Sequence, residues 1–339
     1  MKTRIAFLVL TLLIFWQSSV KCQDIIEPKI CFEDRVRIAE AFNISETYGN
    51  SIWEGLDTIP FVVLLVTNDN EFLIRHPNPT DDFELLGYDS LLKSDVYIRD
   101  RQFSNNLLAT FPAVNEVYTV VVGQPENTSR SSTAWVITLI HEHFHQLQST
   151  KPDYYTSVEG LDLAGDDKTG MWMLNYPFPY EDKEISEQYK RLTETARKTL
   201  TADNEDSFNK NLLLFLEERE KFKNMLEEKD YRYFSFQIWQ EGIARYTELL
   251  TAKILSEVYE PSHEFMELPD YVDFDTYYGQ LYDKILMRLD SQSLSFDKRN
   301  CLYTLGAAEG LMLDRINPEW RDKYFDEKFY IEKYYPLQQ

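Results

Sequence analysis

Three of the five histidines in this chain fall within one pentapeptide, His141-Glu142-His143-Phe144-His145, directly after the apolar run Ala134-Trp135-Val136-Ile137-Thr138-Leu139-Ile140. The spacing H-E-x-x-H on a helix sets His141 and His145 four residues apart, just over one turn, so both imidazoles leave the same face and can grip a single ion. Zinc accepts neutral imidazole and acidifies a bound water, so Glu142, beside the pair without being a ligand, is placed to act as a general base. His143 lies two positions from each of the other histidines and points away from their face. One zinc ion, held in part by His141 and His145, is the cofactor expected.

Two histidines leave a catalytic zinc one protein ligand short, since such sites use three ligands and keep a fourth position open. The second informative segment is Ile238-Trp239-Gln240-Glu241-Gly242-Ile243-Ala244-Arg245-Tyr246. Taken with His141-Glu142-His143-Phe144-His145-Gln146, it resembles the gluzincin metallopeptidases, whose third ligand is a glutamate on a later helix within a W-x-x-E-G-x-A-like stretch. The resemblance implies Glu241 as the third ligand, with one residue fewer between Trp239 and Glu241 and nearly a hundred residues between His145 and Glu241. The small residues Gly242 and Ala244 are expected where this helix packs closely on the histidine helix. The stretch Gly123-Gln124-Pro125-Glu126-Asn127 is only superficially similar to the G-x-M-E-N substrate strand of aminopeptidase N-type enzymes, because Pro125 removes a backbone donor.

The elements that must position these residues read as α+β. Helical spacing covers 33–42. Strands are expected at 61–66, 71–74, 96–98 and 117–122, forming a small mixed or antiparallel sheet ahead of a mainly helical, zincin-like region. Residues 23–339 are read as one domain, with a mixed part at 23–130 and a helical part at 131–339 that carries an inserted helical hairpin at about 182–230. About 317 residues after the leader are enough for such a domain. The aromatic-rich stretch from Pro152 to Tyr180 either walls a substrate cleft or packs over the site helices. Small residues at 306, 307, 308 and 310 suit close helix packing, with Glu309 and Asp314 as capping or supporting groups.

Lys2 and Arg4 before an apolar run from Ile5 to Trp16 give residues 1–22 the form of a secretory signal peptide, too short to span a membrane. Secretion or periplasmic export is expected, with acylation of Cys22 as the alternative. The whole chain carries a net charge of −22, and loss of the leader takes it to about −25, which argues against nucleic acid or anionic membrane as partner. Cys31 and Cys301 are the remaining cysteines, and an even pair in an oxidising compartment suggests a disulfide. Asn43 and Asn127 begin glycosylation sequons, which carry meaning only in a eukaryotic source.

The reading is a zinc hydrolase of gluzincin type, cleaving peptide or protein substrates with Glu142 as base. The alternatives are a zinc hydrolase of another amide or ester, or a non-catalytic protein- or glycan-binding protein. Tyr246, five residues past Glu241, is the first candidate to polarise the scissile carbonyl; His263, Tyr231 and Tyr233 are the others.

Overall fold

The computed structural model describes residues 29–336, so the leader expected over 1–22, with Cys22, lies outside the described residues. The chain opens on α1 (Phe32–Ile52), whose first turn holds Glu33 and Asp34, where carboxylates oppose the positive end of the helix dipole. Six strands follow: β1 (Val63–Val66), β2 (Asn70–Ile74), β3 (Glu84–Asp89), β4 (Ser94–Asp100), β5 (Leu108–Val114) and β6 (Val117–Gly123). They make one mixed sheet in the order β3-β4-β2-β1-β6-β5, in which β1 and β6 run parallel.

Strands β1 and β6 are central and apolar on both faces, as strands covered on two sides must be. Val63, Leu65, Val120 and Val122 join the main core beneath the helices, while Val62, Leu64, Val66 and Val121 meet Leu73, Phe83 and Val114 in a smaller cluster on the other face. Strands β3 and β5 gave no signal in the sequence. Gly87 interrupts β3 at φ 123°, and Pro112 interrupts β5, which tolerates it because an edge strand has one unpaired side.

Helix α2 (Ser132–Thr150) starts nine residues after β6 ends and packs back on both β6 and β5. The Ser131 side chain caps it by accepting from the Ala134 N–H, and the Trp135 indole donates to the Gly123 carbonyl at 2.8 Å. The expected hairpin is present as α3 (Lys183–Leu200) and α4 (Glu205–Met225). Then come α5 (Glu228–Gln237), a π-helical turn (Ile238–Gly242), α6 (Ile243–Val258), α7 (Phe274–Ser291) and α8 (Asn300–Ile316). Helix α3 leans on α7 and α8, whereas α2 is flanked by α1 and α6. Among the described residues, no helix is long and apolar enough to cross a membrane.

Two expectations are corrected. Cys31 and Cys301 are both free: Cys31 is exposed at the start of α1, and Cys301 is buried in α8 with its thiol donating to the Ser293 carbonyl at 3.2 Å. The even count gave no information on where each thiol would point, and geometry decides a disulfide. The second correction concerns Gly242. Helices α2 and α6 do pack together, but the close approach at Gly242 is to α8, where a Cβ on Gly242 would stand 2.6 Å from the Gly306 Cα.

Candidate metal centre

Side chains from two segments far apart in sequence meet where α2 faces the π turn. One ligand atom from each of His141, His145 and Glu241 lies within 4.8 Å of the others, and His145 Nε2 is 3.7 Å from a Glu241 carboxylate oxygen. A tetrahedral ion with legs of about 2.0–2.1 Å holds its ligands roughly 3.3 Å apart, so small side-chain rotations close this group onto a metal. The donor set of two imidazoles and one carboxylate suits zinc.

The way the imidazoles are held supports the same fit. His141 Nδ1 lies 2.8 Å from a carboxylate oxygen of Glu248, and His145 Nδ1 lies 2.7 Å from Gln148 Oε1. Gln148 is itself oriented, because its amide donates to the Gln240 carbonyl at 3.3 Å and to the Tyr324 hydroxyl at 2.9 Å. The Gln240 side-chain amide nitrogen stands 3.1 Å from the same His145 Nδ1, so carboxamides reach this atom from two sides; a proton on each Nδ1, facing Glu248 and Gln148, would leave both Nε2 lone pairs for an ion. Helix α2 supplies this because His141 and His145 stay 6% and 8% exposed on an otherwise buried helix.

Glu248 was missed in the sequence. Burial raises its carboxyl pKa, but the Arg245 guanidinium and His141 outweigh that and hold it down at about 2. Arg245 donates to both Glu248 oxygens, at 2.8 and 2.7 Å. The available signal was spacing: Glu248 follows Glu241 by seven residues, two helical turns, and so returns to the same face.

Glu142 is 5% exposed beside the two histidines. One of its carboxylate oxygens accepts from the Thr110 hydroxyl at 2.9 Å, and the same hydroxyl reaches the Glu142 backbone carbonyl at 2.9 Å. Thr110 lies on edge strand β5, so the sheet edge and the candidate base are tied directly. His143 stands off the pair and is a core residue. Its ring stacks on Phe61 at 3.8 Å between centroids, its nitrogens reach Gln146 and the Leu56 carbonyl, and burial depresses its pKa to about 4.

Tyr246 is not brought to the cluster. Its hydroxyl donates to Asp314 at 2.6–2.8 Å, and its ring packs beside Trp53 and Trp320. Five positions on an α-helix amount to a rotation of about 140° from Glu241, which turns the phenol away. His263 is exposed near Glu267, Tyr231 bonds Glu332 and Arg219, and the Tyr233 hydroxyl donates to the Met173 carbonyl. Among the described residues the phenols of Tyr154, Tyr233, Tyr303 and Tyr324 all feel the Glu241 charge, with burial the first cause that raises each. A cavity of about 540 Å³ lies elsewhere, on the Tyr246 side of α6. No known protein family, curated protein or solved structure matches the chain.

Proposed function

We propose that the protein is a zinc-dependent hydrolase, most simply a peptidase of gluzincin type, exported from the cell. The single observation that carries this is the convergence of His141, His145 and Glu241, with Glu142 alongside. An ion held there supplies Lewis acidity and a water of lowered pKa. Glu142 accepts the proton of the attacking water and passes it to the leaving amine; the Thr110 hydroxyl fixes one of its oxygens and leaves the other for this transfer. Glu142 is a base without being a ligand, an arrangement that a binding protein has no use for.

Two further features support a peptide substrate. The outer side of β5 offers unpaired backbone groups next to Glu142, and an extended peptide can add to such an edge. Tyr303, whose phenol feels the Glu241 charge and accepts from Arg299, is the candidate to donate to a polarised carbonyl oxygen in the role first expected of Tyr246. The test is elemental analysis of the purified protein together with a peptide-library digest. One zinc per chain, lost in His145→Ala, and cleavage that disappears with the metal are the expected results. A chain that purifies with no metal and binds none on titration with zinc would overturn the reading.

A further inference from the structure

Three residues behind the candidate metal centre leave one way to place the hydrogens among them. The Tyr324 hydroxyl donates to the Trp239 carbonyl oxygen at 2.6 Å and lies 2.9 Å from the side-chain nitrogen of Gln148. A carbonyl only accepts, and a phenol has a single hydrogen to give. With that hydrogen committed to Trp239, the phenol oxygen can only accept, so the group of Gln148 that faces it must be the amide NH2. The same NH2 stands 3.3 Å from the Gln240 carbonyl, a second group that can only accept. The carboxamide oxygen of Gln148 is thereby turned to His145 Nδ1, at 2.7 Å. An oxygen acceptor this close to Nδ1 calls for a hydrogen on that nitrogen, which leaves the lone pair on Nε2, 3.7 Å from Glu241.

Tyr324 joins the two segments that build the centre. Trp239 and Gln240 belong to the π turn that carries Glu241, and Gln148 lies on α2 three residues past His145. Tyr324, Trp239 and Gln148 are fully buried, so water does not compete for these bonds. The Tyr324 ring lies flat on Trp239, with centroids 4.7 Å apart, and the Trp239 indole donates to the Tyr324 backbone carbonyl at 3.3 Å. Packing needs that ring, whereas the relay needs its hydroxyl. Gln240 answers to the same hydrogen. Its side-chain nitrogen stands 3.1 Å from His145 Nδ1, while its oxygen accepts from the Tyr154 hydroxyl at 3.1 Å. Two donors cannot face each other, so with a hydrogen on Nδ1 the Gln240 carboxamide turns over, giving its oxygen to His145 and its nitrogen to the Tyr154 hydroxyl.

The geometry points to Tyr324 as a positioning residue of the metal centre: acting through Gln148, its hydroxyl sets the tautomer of His145 that can take an ion. The consequence for metal binding rests on the zinc-dependent reading, but the place of the hydrogen does not. Outer partners that fix the tautomer of a ligating imidazole change metal affinity by about 10–100-fold, and that is the effect expected of this hydroxyl.

The experiment records long-range proton–nitrogen correlation spectra of zinc-free protein labelled with nitrogen-15 histidine, at about pH 8.5, where an ordinary imidazole is neutral. The His145 signals, identified by their loss in His145→Gln, should show the hydrogen on Nδ1 and a bare Nε2. Tyr324→Phe, which keeps the ring, and Gln148→Ala, which breaks the relay at its middle, should each raise the share of the other tautomer. Both should also weaken zinc binding about 10–100-fold in competition with a chelator. Tyr231→Phe removes a buried hydroxyl bonded to Glu332 and Arg219 and should move neither readout, which separates the relay from a general loss of stability. A hydrogen on Nε2 in the wild type, or a tautomer or zinc affinity unmoved in both relay variants, would overturn the assignment. If the tautomer responds as stated while the wild type takes up no zinc, the relay stands and the zinc-dependent reading fails.

Discussion

His141 Nδ1 and the Glu248 carboxylate stand 2.8 Å apart, on two different helices and 107 positions apart in the chain. A proton on Nδ1 facing this carboxylate would leave Nε2 for an ion and raise the basicity of the imidazole. Removing that charge while keeping the shape should therefore loosen the metal without unfolding the helix. Glu248→Gln is expected to weaken zinc binding about 10–100-fold, read by competition with a chelator. Unchanged affinity would mean that Glu248 only packs.

Glu142→Gln separates metal binding from chemistry. The amide keeps an acceptor for the Thr110 hydroxyl but cannot take a proton. Zinc content and thermal stability should stay near wild type, while hydrolysis falls by about 10²–10⁴-fold. Retained turnover would remove Glu142 from its role as base.

The contact between Gly242 and Gly306 holds the Glu241 turn against α8. A Cβ on Gly306 would stand 2.5 Å from the Gly242 Cα and 2.9 Å from the Ile238 carbonyl oxygen, all backbone that cannot rotate aside. Gly306→Ala should cost about 1–3 kcal/mol in denaturant titration and weaken zinc binding with it, since the π turn must move. A variant of wild-type stability would show that the two helices separate cheaply.

His76 sets a pH limit on stability. Its Nδ1 accepts from the Asn78 N–H at 3.1 Å and its Nε2 faces the Val114 carbonyl at 3.1 Å, so the neutral ring is fully used. Burial lowers its pKa from the usual 6.5. A depressed folded-state pKa contributes stability that is present above about 6.5 and is lost as pH falls through the lower folded value. Urea midpoints measured below that pH should decline less steeply in His76→Gln, and identical slopes would exclude the effect.

Arg219 is buried between Glu309, at 3.0 Å, and Glu332, at 3.2 Å. Replacing it alone strands Glu309, whose carboxyl is already pushed up to about 7 by burial. Arg219→Met should cost about 3–5 kcal/mol, and adding Glu309→Leu should recover much of it. A double variant no better than the single one would locate the loss in packing instead.

The α+β order, a sheet followed by helices, was legible because runs such as Val117–Val122 and the apolar face of α2 report their own periodicity. His141, His145 and the turn of His143 away from them were legible for the same reason: they lie within one helical turn and a half, where spacing fixes direction. Edge strand β5 was not, since Pro112 and an edge position remove the pattern of a buried strand, and with it went Thr110.

What the tertiary structure decided was every relationship across the fold. Glu241 reaches the histidines because a π turn sets its angle and α8 presses Gly242 from behind. Tyr246 is turned to Asp314 because five residues rotate a side chain most of the way to the opposite face, whereas seven return Glu248 to His141. Sequence spacing specifies direction only within one element, and between elements the packing of α2, α6, α7 and α8 chooses which side chains meet.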